Sequence, residues 1–448
     1  MTVHTTPNLF LRLRFVCCAA LFVVTAGFSA AQTTTAFVDV HVLPMDAERV
    51  LENHTVIVEG ERIVAVGPMN EVDIPAGATV IEGNGGYLMP GLAEMHGHIP
   101  PPSQPTSAIE ETLFLYAANG ITTVRGMLGY PGQLDLKARA NSGSIWSPTL
   151  YLAGPSFNGS TVSSPEQAAA RVRDQVDAGW DLLKIHPGLS VAQYDAMADT
   201  ANELGIRFGG HVPASVGLDH ALDKGQETFD HVDGYVEALG GGQQSINMME
   251  LNRLVQKTIR HEAWVVPTMA LWETLYLTTP LEELQSYDEL KYVSSAAVSS
   301  WSNQYRSRAS SGQYAEPANF NVIDARMQVL EALSNAGARI LMGTDAPQQF
   351  SVPGFSLHRE LLVMADADMT PYEIMVTGTR NVGTYFAHKD TFGLVAEGHR
   401  ADLLLVAENP FEDVAHIADN QGVMIRGRWL SRDMIDERLS AIEARHTR

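Results

Sequence analysis

Residues 90–102, "PGLAEMHGHIPPP", decide how the rest of the chain is read. His96 and His98 lie one residue apart, directly after the Pro90-Gly91 turn signal. On a strand, alternate side chains share a face. A strand over 92–98 therefore points both imidazoles the same way, and Gly97 between them leaves room. Such a pair suits one cation. Two donors do not complete a metal centre, so the remaining ones must come from elsewhere in the chain.

Downstream, apolar strand-like runs alternate with helical stretches. The runs are "GLAEMHGH", "GITTVRGM", "PTLYLAG", "LLKIH", "RFGGHV", "TFDHV", "WVVPTM" and "ARILMGTDA". The segments between them, such as "SPEQAAARVRDQVDAGW" and "SVAQYDAMADTANELG", are amphipathic and open on a serine cap. Eight such units over 91–388 predict an α/β fold, a (β/α)8 TIM barrel. On either side the rhythm is purely β. "HTVIVEG", "RIVAVGP" and "ATVIEGN" precede it, and "GHRADLLLVAENP" and "GVMIRGRWL" follow it. The two ends, 32–90 and 389–448, are expected to build one small β-sandwich, followed by a C-terminal tail. An irregular polar insert over 280–325 precedes the last strand. It reads equally as a lid or substrate loop and as surface decoration.

The start of the chain has the pattern of an export signal. Arg12 and Arg14 precede the apolar run "FVCCAALFVVTAGF" and then small residues. Cleavage is expected after Ala31, giving a periplasmic or extracellular protein. The run is short for a membrane span, so no membrane association is expected after cleavage. Cys17 and Cys18 are the only cysteines, so the mature chain is expected to have none. A metal site must then use His, Asp, Glu or modified Lys. Loss of the signal moves the formal charge from −22 to −24, since it removes Arg12 and Arg14 and no acid. Such a balance excludes nucleic acid and anionic lipid as partners. Hydrophobic content of 45% is ordinary for a globular protein.

The ionisable residues fall at the ends of the runs. His96 and His98 end the first, Lys184 lies in the fourth, His211 ends the fifth, His231 the sixth and Asp345 the eighth. In a barrel the strand C-termini converge on one mouth. Each residue alone has a plainer reading. His231 fits a core histidine, Asp345 a helix cap, and Lys184 an ion pair with Asp181. Together they read as a metal site. A free lysine is a poor ligand, because exposing its amine at pH 7 costs roughly 4.6 kcal/mol. Reaction with carbon dioxide converts the amine to a carbamate, a carboxylate on a long stem that can bridge two cations.

The ordered set "PGLAEMHGH", "LLKIHPGLS", "GGHVPA", "FDHVDG", "MGTDAP" and "FGLVAEGHRADLLLVAENP" resembles the amidohydrolase superfamily, in its imidazolonepropionase-like and prolidase-like branch. The resemblance covers nearly all of the mature chain. It implies two divalent metal ions, usually zinc. His96, His98 and Asp345 would hold the more buried one, His211 and His231 the other, and a carbamate on Lys184 would bridge them. Imidazole and carboxylate suit zinc, and two cations about 3.5–4 Å apart can share a hydroxide nucleophile. Asp345 would shuttle the proton to the leaving nitrogen.

The expected reaction is hydrolysis of a carbon-nitrogen amide bond in a small molecule, a dipeptide or N-acyl amino acid. Arg125, His186 and Tyr235 are candidates for binding its carboxylate. Trp272 is a candidate wall, with His358 and Glu360 as remoter candidates. His220, His261, His388 and His399 are expected in solvent. Ala214 stands where base deaminases of the superfamily carry Glu, which argues against deamination. Gly126 stands where relatives often have an acid. Two alternatives remain: a one-metal cyclic-amide hydrolase using His96, His98, His211 and Asp345, and a non-catalytic binding protein. A homo-oligomer is compatible with the sequence.

Overall fold

A computed structural model describes residues 1–4, 33–312 and 314–446. The chain divides into two units, Met1–Gln32 and Thr33–Arg448, and the second carries everything below. The expected signal, 1–31, lies outside the described residues apart from its first four. Among the described residues no helix is long and apolar enough to cross a membrane.

Four strands come first: β1 (Thr34–Val42), β2 (Leu51–Glu59), β3 (Arg62–Pro68) and β4 (Thr79–Pro90). Next come β5 (Leu92–Gly97), β6 (Ile121–Gly126), β7 (Thr149–Leu152), β8 (Leu182–Ile185), β9 (Arg207–Gly210), β10 (Thr228–Asp230), β11 (Trp264–Val266) and β12 (Arg339–Ile340). The last three are β13 (Leu403–Val406), β14 (Asn420–Ile425) and β15 (Arg428–Ser431).

β5 to β12 are the eight runs read from the sequence. They form two parallel sheets, β5-β6-β7 and β8-β9-β10-β11-β12. Backbone hydrogen bonds join the sheets at both edges. Gly154 N donates to Leu182 O at 3.0 Å and Phe157 N to Lys184 O at 2.8 Å. On the other side Met95 N donates to Met342 O at 2.9 Å and Asp345 N to His96 O at 2.8 Å. Every residue of β5 and β6 is buried, as expected for parallel strands covered on both faces. The helices between strands start where the serines indicate. Ser164 accepts from Gln167 N before helix Pro165–Ala178, and Ser190 forms a capping box with Gln193 before Val191–Leu204.

Strands from the two ends meet in one sheet of order β15-β14-β13-β4-β1-β2-β3. β1 and β15 are four positions apart, which is roughly 19 Å in a flat sheet. Yet the rings of Phe37 and Trp429 lie 5.2 Å apart, edge to face. The sheet therefore curls over one core containing Phe37, Val56, Leu88, Leu403 and Met424. The expected sandwich takes the form of a single folded sheet.

The insert is not irregular as the sequence suggested. It holds a helix over Ser295–Ser311, capped by Ser294, followed by another over Ala318–Asn335. Its serines read as loop. The spacing of Val298, Trp301 and Tyr305 nevertheless puts one partly buried stripe on one face.

Gly427, at φ +72°, shares the turn between β14 and β15 with Arg426 at φ +49°, the geometry of a two-residue hairpin. A Cβ on Gly427 would sit 1.7 Å from Gly60 O in the turn between β2 and β3. Gly427→Ala is expected to cost about 1–3 kcal/mol, seen as an earlier urea midpoint; an unchanged midpoint would show that the two turns part without loss.

Candidate functional site

The sequence-predicted donors sit at or near strand ends. His96 is in β5 and His98 just past it; Lys184 is in β8; His211 and His231 directly follow β9 and β10; Asp345 follows β12 by a short segment. Local backbone makes this arrangement feasible. A Cβ at Gly97 would lie 2.8 Å from Glu94 Cγ and 2.9 Å from Val124 Cγ1. Gly210, at φ +121°, passes so close to Lys184 that a Cβ would lie 2.9 Å from its Cδ. His231, Val232 and Asp345 all adopt left-handed backbone, at φ +67°, +57° and +63°. That strain is concentrated where the donors converge.

The six come together by short steps. One donor atom from each of His96, His231 and Asp345 lies within 4.8 Å of the others. His96 Nε2 is 3.6 Å from Asp345 Oδ1, and His231 Nε2 is 3.8 Å from Asp345 Oδ2. Lys184 Nζ joins at 3.1 Å from His96 Nε2. His98 Nε2 hydrogen-bonds to Asp345 Oδ1 at 2.5 Å. His211 is brought in by its ring, 4.5 Å from that of His231.

Residues that sequence reading missed hold these groups. His96 Nδ1 lies 2.7 Å from Asp230 Oδ2, in contact though off the line of a hydrogen bond. His211 Nδ1 bonds Asp233 at 2.7 Å, and His231 Nδ1 bonds Thr268 at 2.7 Å. Partners on Nδ1 fix each ring with Nε2 turned inward. Glu94 accepts from His96 N at 3.0 Å and Thr344 N at 2.8 Å, tying β5 to the segment that carries Asp345. Arg326, from the helix Ala318–Asn335, donates to the carbonyl of His231 and stacks 3.9 Å over the Trp272 ring. One signal was available. Glu94 has the same strand parity as His96 and His98, and Asp230 is an acid inside an apolar run.

Burial shapes the charges. It pushes the Glu94 carboxyl up to about 8 and the Lys184 amine down to about 8. His96 and His231 are held well below the usual imidazole range by burial and neighbouring positive charge, so both are neutral and able to donate lone pairs. Asp230 is also pushed up by burial, but Arg125 and Lys184 outweigh that and keep it ionised.

This donor set fits a divalent cation. Tetrahedral ligands about 2.0–2.1 Å from zinc lie roughly 3.3–3.4 Å apart, close to the 3.6 and 3.8 Å seen here. His231 Nε2 is buried without a hydrogen-bond partner. An unpaired buried acceptor of this kind is costly unless something outside the chain satisfies it.

Asp181, the plainer partner for Lys184, bonds Lys137 at 2.6 Å instead. The carboxylate facing Lys184 is Asp230, at 3.9 Å.

Two of the expected substrate residues are engaged elsewhere. Arg125 is fully buried, and every guanidinium nitrogen is bonded, to Met95 O, Thr228, Tyr385 and Asp230. It lies at a strand end, but its side chain runs inward. Tyr235 is fully buried too, its hydroxyl bonded to Thr258 in the helix Met248–Arg260. His186 does lie at the site, its ring 5.1 Å from that of His211, with burial lowering its pKa to about 2. Trp272 lies 5.8 Å from His231. Glu360 instead accepts from Met269 N and Ala270 N, capping the helix Met269–Leu275, and His358 packs near Phe355. His220 bonds Asp195, His261 lies 3.4 Å from Asp223, and His388 lies beside Arg207. Beside His98 opens a cavity of about 470 Å3, lined also by Ile99, Leu128, Tyr130, Pro347 and Gln348.

Comparison with known proteins agrees with this chemistry. The model of the Amidohydrolase family matches residues 87–430. The chain is 23% identical over 411 residues to an ochratoxinase of Aspergillus niger, covering 83% of this chain and 81% of that protein. Among solved structures it is similar to a putative prolidase from Bifidobacterium longum. That match has a TM-score of 0.70 at 23% identity and covers 92% of this chain and 99% of the other. It is also similar to a Xaa-Pro dipeptidase with bound methionine in the active site, with a TM-score of 0.68 at 18% identity, covering 89% and 100%. The chain belongs to the amidohydrolase family, hydrolases that act on carbon-nitrogen bonds.

Proposed function

We propose that this chain is an exported hydrolase with two divalent cations, most simply zinc, that cleaves the amide bond of an N-acyl amino acid or dipeptide. The eight parallel strands would close as one (β/α)8 barrel over 91–388, with the donors at its mouth. The observation that carries the reading is the convergence of His96, His231 and Asp345, with His231 Nε2 buried and unpaired. When bound, such cations supply an acidified water and polarise the scissile carbonyl.

The chain's own groups then have defined tasks. His96, His98, His211, His231 and Asp345 supply donors; Asp230, Asp233 and Thr268 keep the imidazoles aimed. Lys184, its amine lowered to about 8 by burial, is freed at pH 7 far more readily than an exposed lysine. Its nitrogen can add to carbon dioxide, releasing one proton and leaving a carbamate. Asp345 takes the proton of the attacking water and delivers it to the leaving nitrogen as the C–N bond breaks. The products are a carboxylate and an amine. Among the residues lining the cavity beside His98 no Asp, Glu, Lys or Arg occurs, which suits an uncharged apolar acyl group. The names of the relatives, an ochratoxinase and prolidases, support an amide substrate.

A one-cation cyclic-amide hydrolase is the second reading. It is favoured by the direct His98–Asp345 bond and by the 3.6 Å approach of His96 Nε2 to Asp345, contacts within its own set of His96, His98, His211 and Asp345.

Metal analysis separates the two. Two zinc equivalents per chain are expected, and one would select the second reading. A panel of dipeptides and N-acyl amino acids, N-benzoyl-L-leucine among them, assayed with zinc and bicarbonate, is expected to give turnover that exhaustive chelation removes. Uniform inactivity would sink the amide proposal.

Asp345→Asn is expected to lower kcat by about 10²–10⁴-fold while most metal stays bound. Activity within tenfold of the parent would remove Asp345 from proton transfer. Lys184→Ala is expected to lose activity that short carboxylic acids partly restore. An unmodified amine in the density of an active, fully metallated crystal would defeat the carbamate.

A further inference from the structure

We propose that Arg308 receives the substrate's carboxylate, an assignment that rests on the amide-hydrolase reading above. An acyl amino acid carries a carboxylate that needs a cationic partner, and Arg125 is fully engaged inside the protein. Arg308 lies on the helix Ser295–Ser311, which is fastened to the segment following Asp345. Arg308 Nη2 donates to Gln349 Oε1 at 2.8 Å, and Gln349 Nε2 donates to Gln304 Oε1 at 2.5 Å. The Trp301 and Phe350 rings lie 5.6 Å apart. Gln349 and Phe350 hold left-handed backbone at φ +48° and +69°, so the helix grips a strained segment. The neighbouring Gln348 lines the cavity beside His98 and donates to Asp345 O at 3.1 Å.

The electrostatics of Arg308 are incomplete. Among the described residues it takes part in no ion pair, and its Nε is buried without a hydrogen-bond partner. Among the described residues its one bonded nitrogen meets a neutral amide. Burial lowers its pKa, opposed by Tyr314 and Tyr305. A half-buried guanidinium with no counter-charge is costly. In a chain with 52 acidic residues against 30 basic ones, the missing partner is not a shortage of carboxylates. A carboxylate arriving with the substrate supplies the charge, and its two oxygens match the guanidinium fork. A run of aromatic rings leads outward from the donors. Trp272 is 5.8 Å from His231, Tyr276 is 5.6 Å from Trp272, and Tyr314 is 5.2 Å from Tyr276. These rings offer the substrate's apolar side chain a wall beside the donors.

The test compares a carboxylate substrate with its neutral carboxamide, using N-benzoyl-L-leucine and N-benzoyl-L-leucinamide as first probes, or the corresponding pair for whichever panel member is cleaved best. The zinc-loaded parent is expected to favour the carboxylate at least tenfold in kcat/KM, mostly through KM. In Arg308→Met that preference falls at least tenfold. Arg308→Lys, which keeps the charge and loses the fork, gives an intermediate value and serves if the Met variant fails to fold. If Arg308 merely braces Gln349, both substrates lose activity equally and the preference survives; that result overturns the assignment, as does a parent with no preference. A parent that cleaves no panel member overturns the underlying reading of the function instead.

Discussion

Arg125 and Asp230 place opposite charges at zero exposure among the parallel strands, and the site depends on that pair. Neither can ionise there alone, because an isolated buried charge costs several kcal/mol. Paired at 3.2 Å, they form a fixed dipole whose negative end faces His96. Tyr385 and Thr228 complete the guanidinium's bonds. The imidazole of His96 is thereby oriented, and the Lys184 amine is kept near a negative charge without a close ion pair. The same logic recurs for His211 with Asp233 and for His231 with Thr268. The donors at the centre are reproducible because partners one step further out are already committed.

Much of this was legible in the sequence. The strands were legible because each run is apolar, short and bounded by turn or cap residues, and because eight repeats of one unit leave few topologies. The meeting of His96, His231 and Asp345 was legible because ionisable residues at strand ends of parallel strands converge. Their supporters were not. Asp230 becomes a partner of His96 only when β10 and β5 are folded together, and no local pattern records that pairing. Arg125 and Tyr235, expected to bind substrate, are buried and bonded inside the protein, because a strand-end position does not say whether a long side chain runs to solvent or into the core. The helix Ser295–Ser311 was missed because serine-rich composition outweighed the spacing of Val298, Trp301 and Tyr305.

Strain and support are also coupled. The left-handed conformations of His231, Val232 and Asp345 are unfavourable by themselves, least suitably at β-branched Val232. They persist because Arg326, Thr268 and Glu94 bind the same turns from three other parts of the chain. The glycines at 97 and 210 do the complementary work of removing side-chain bulk where backbone and donor stems must pass.

The folded sheet shared by the two ends also constrains the order in which the molecule can be made. β4 pairs with β13, Pro90 opposite Leu403, and Phe37 meets Trp429 across the curl. A chain emerging from the ribosome carries half of that hydrophobic face for most of its synthesis with nothing to cover it. Contacts this distant in sequence form slowly, and exposed strand edges in the interval invite aggregation. β1 to β4 can pair among themselves as soon as they are made, but closure of the curl over its core must wait on the last strands.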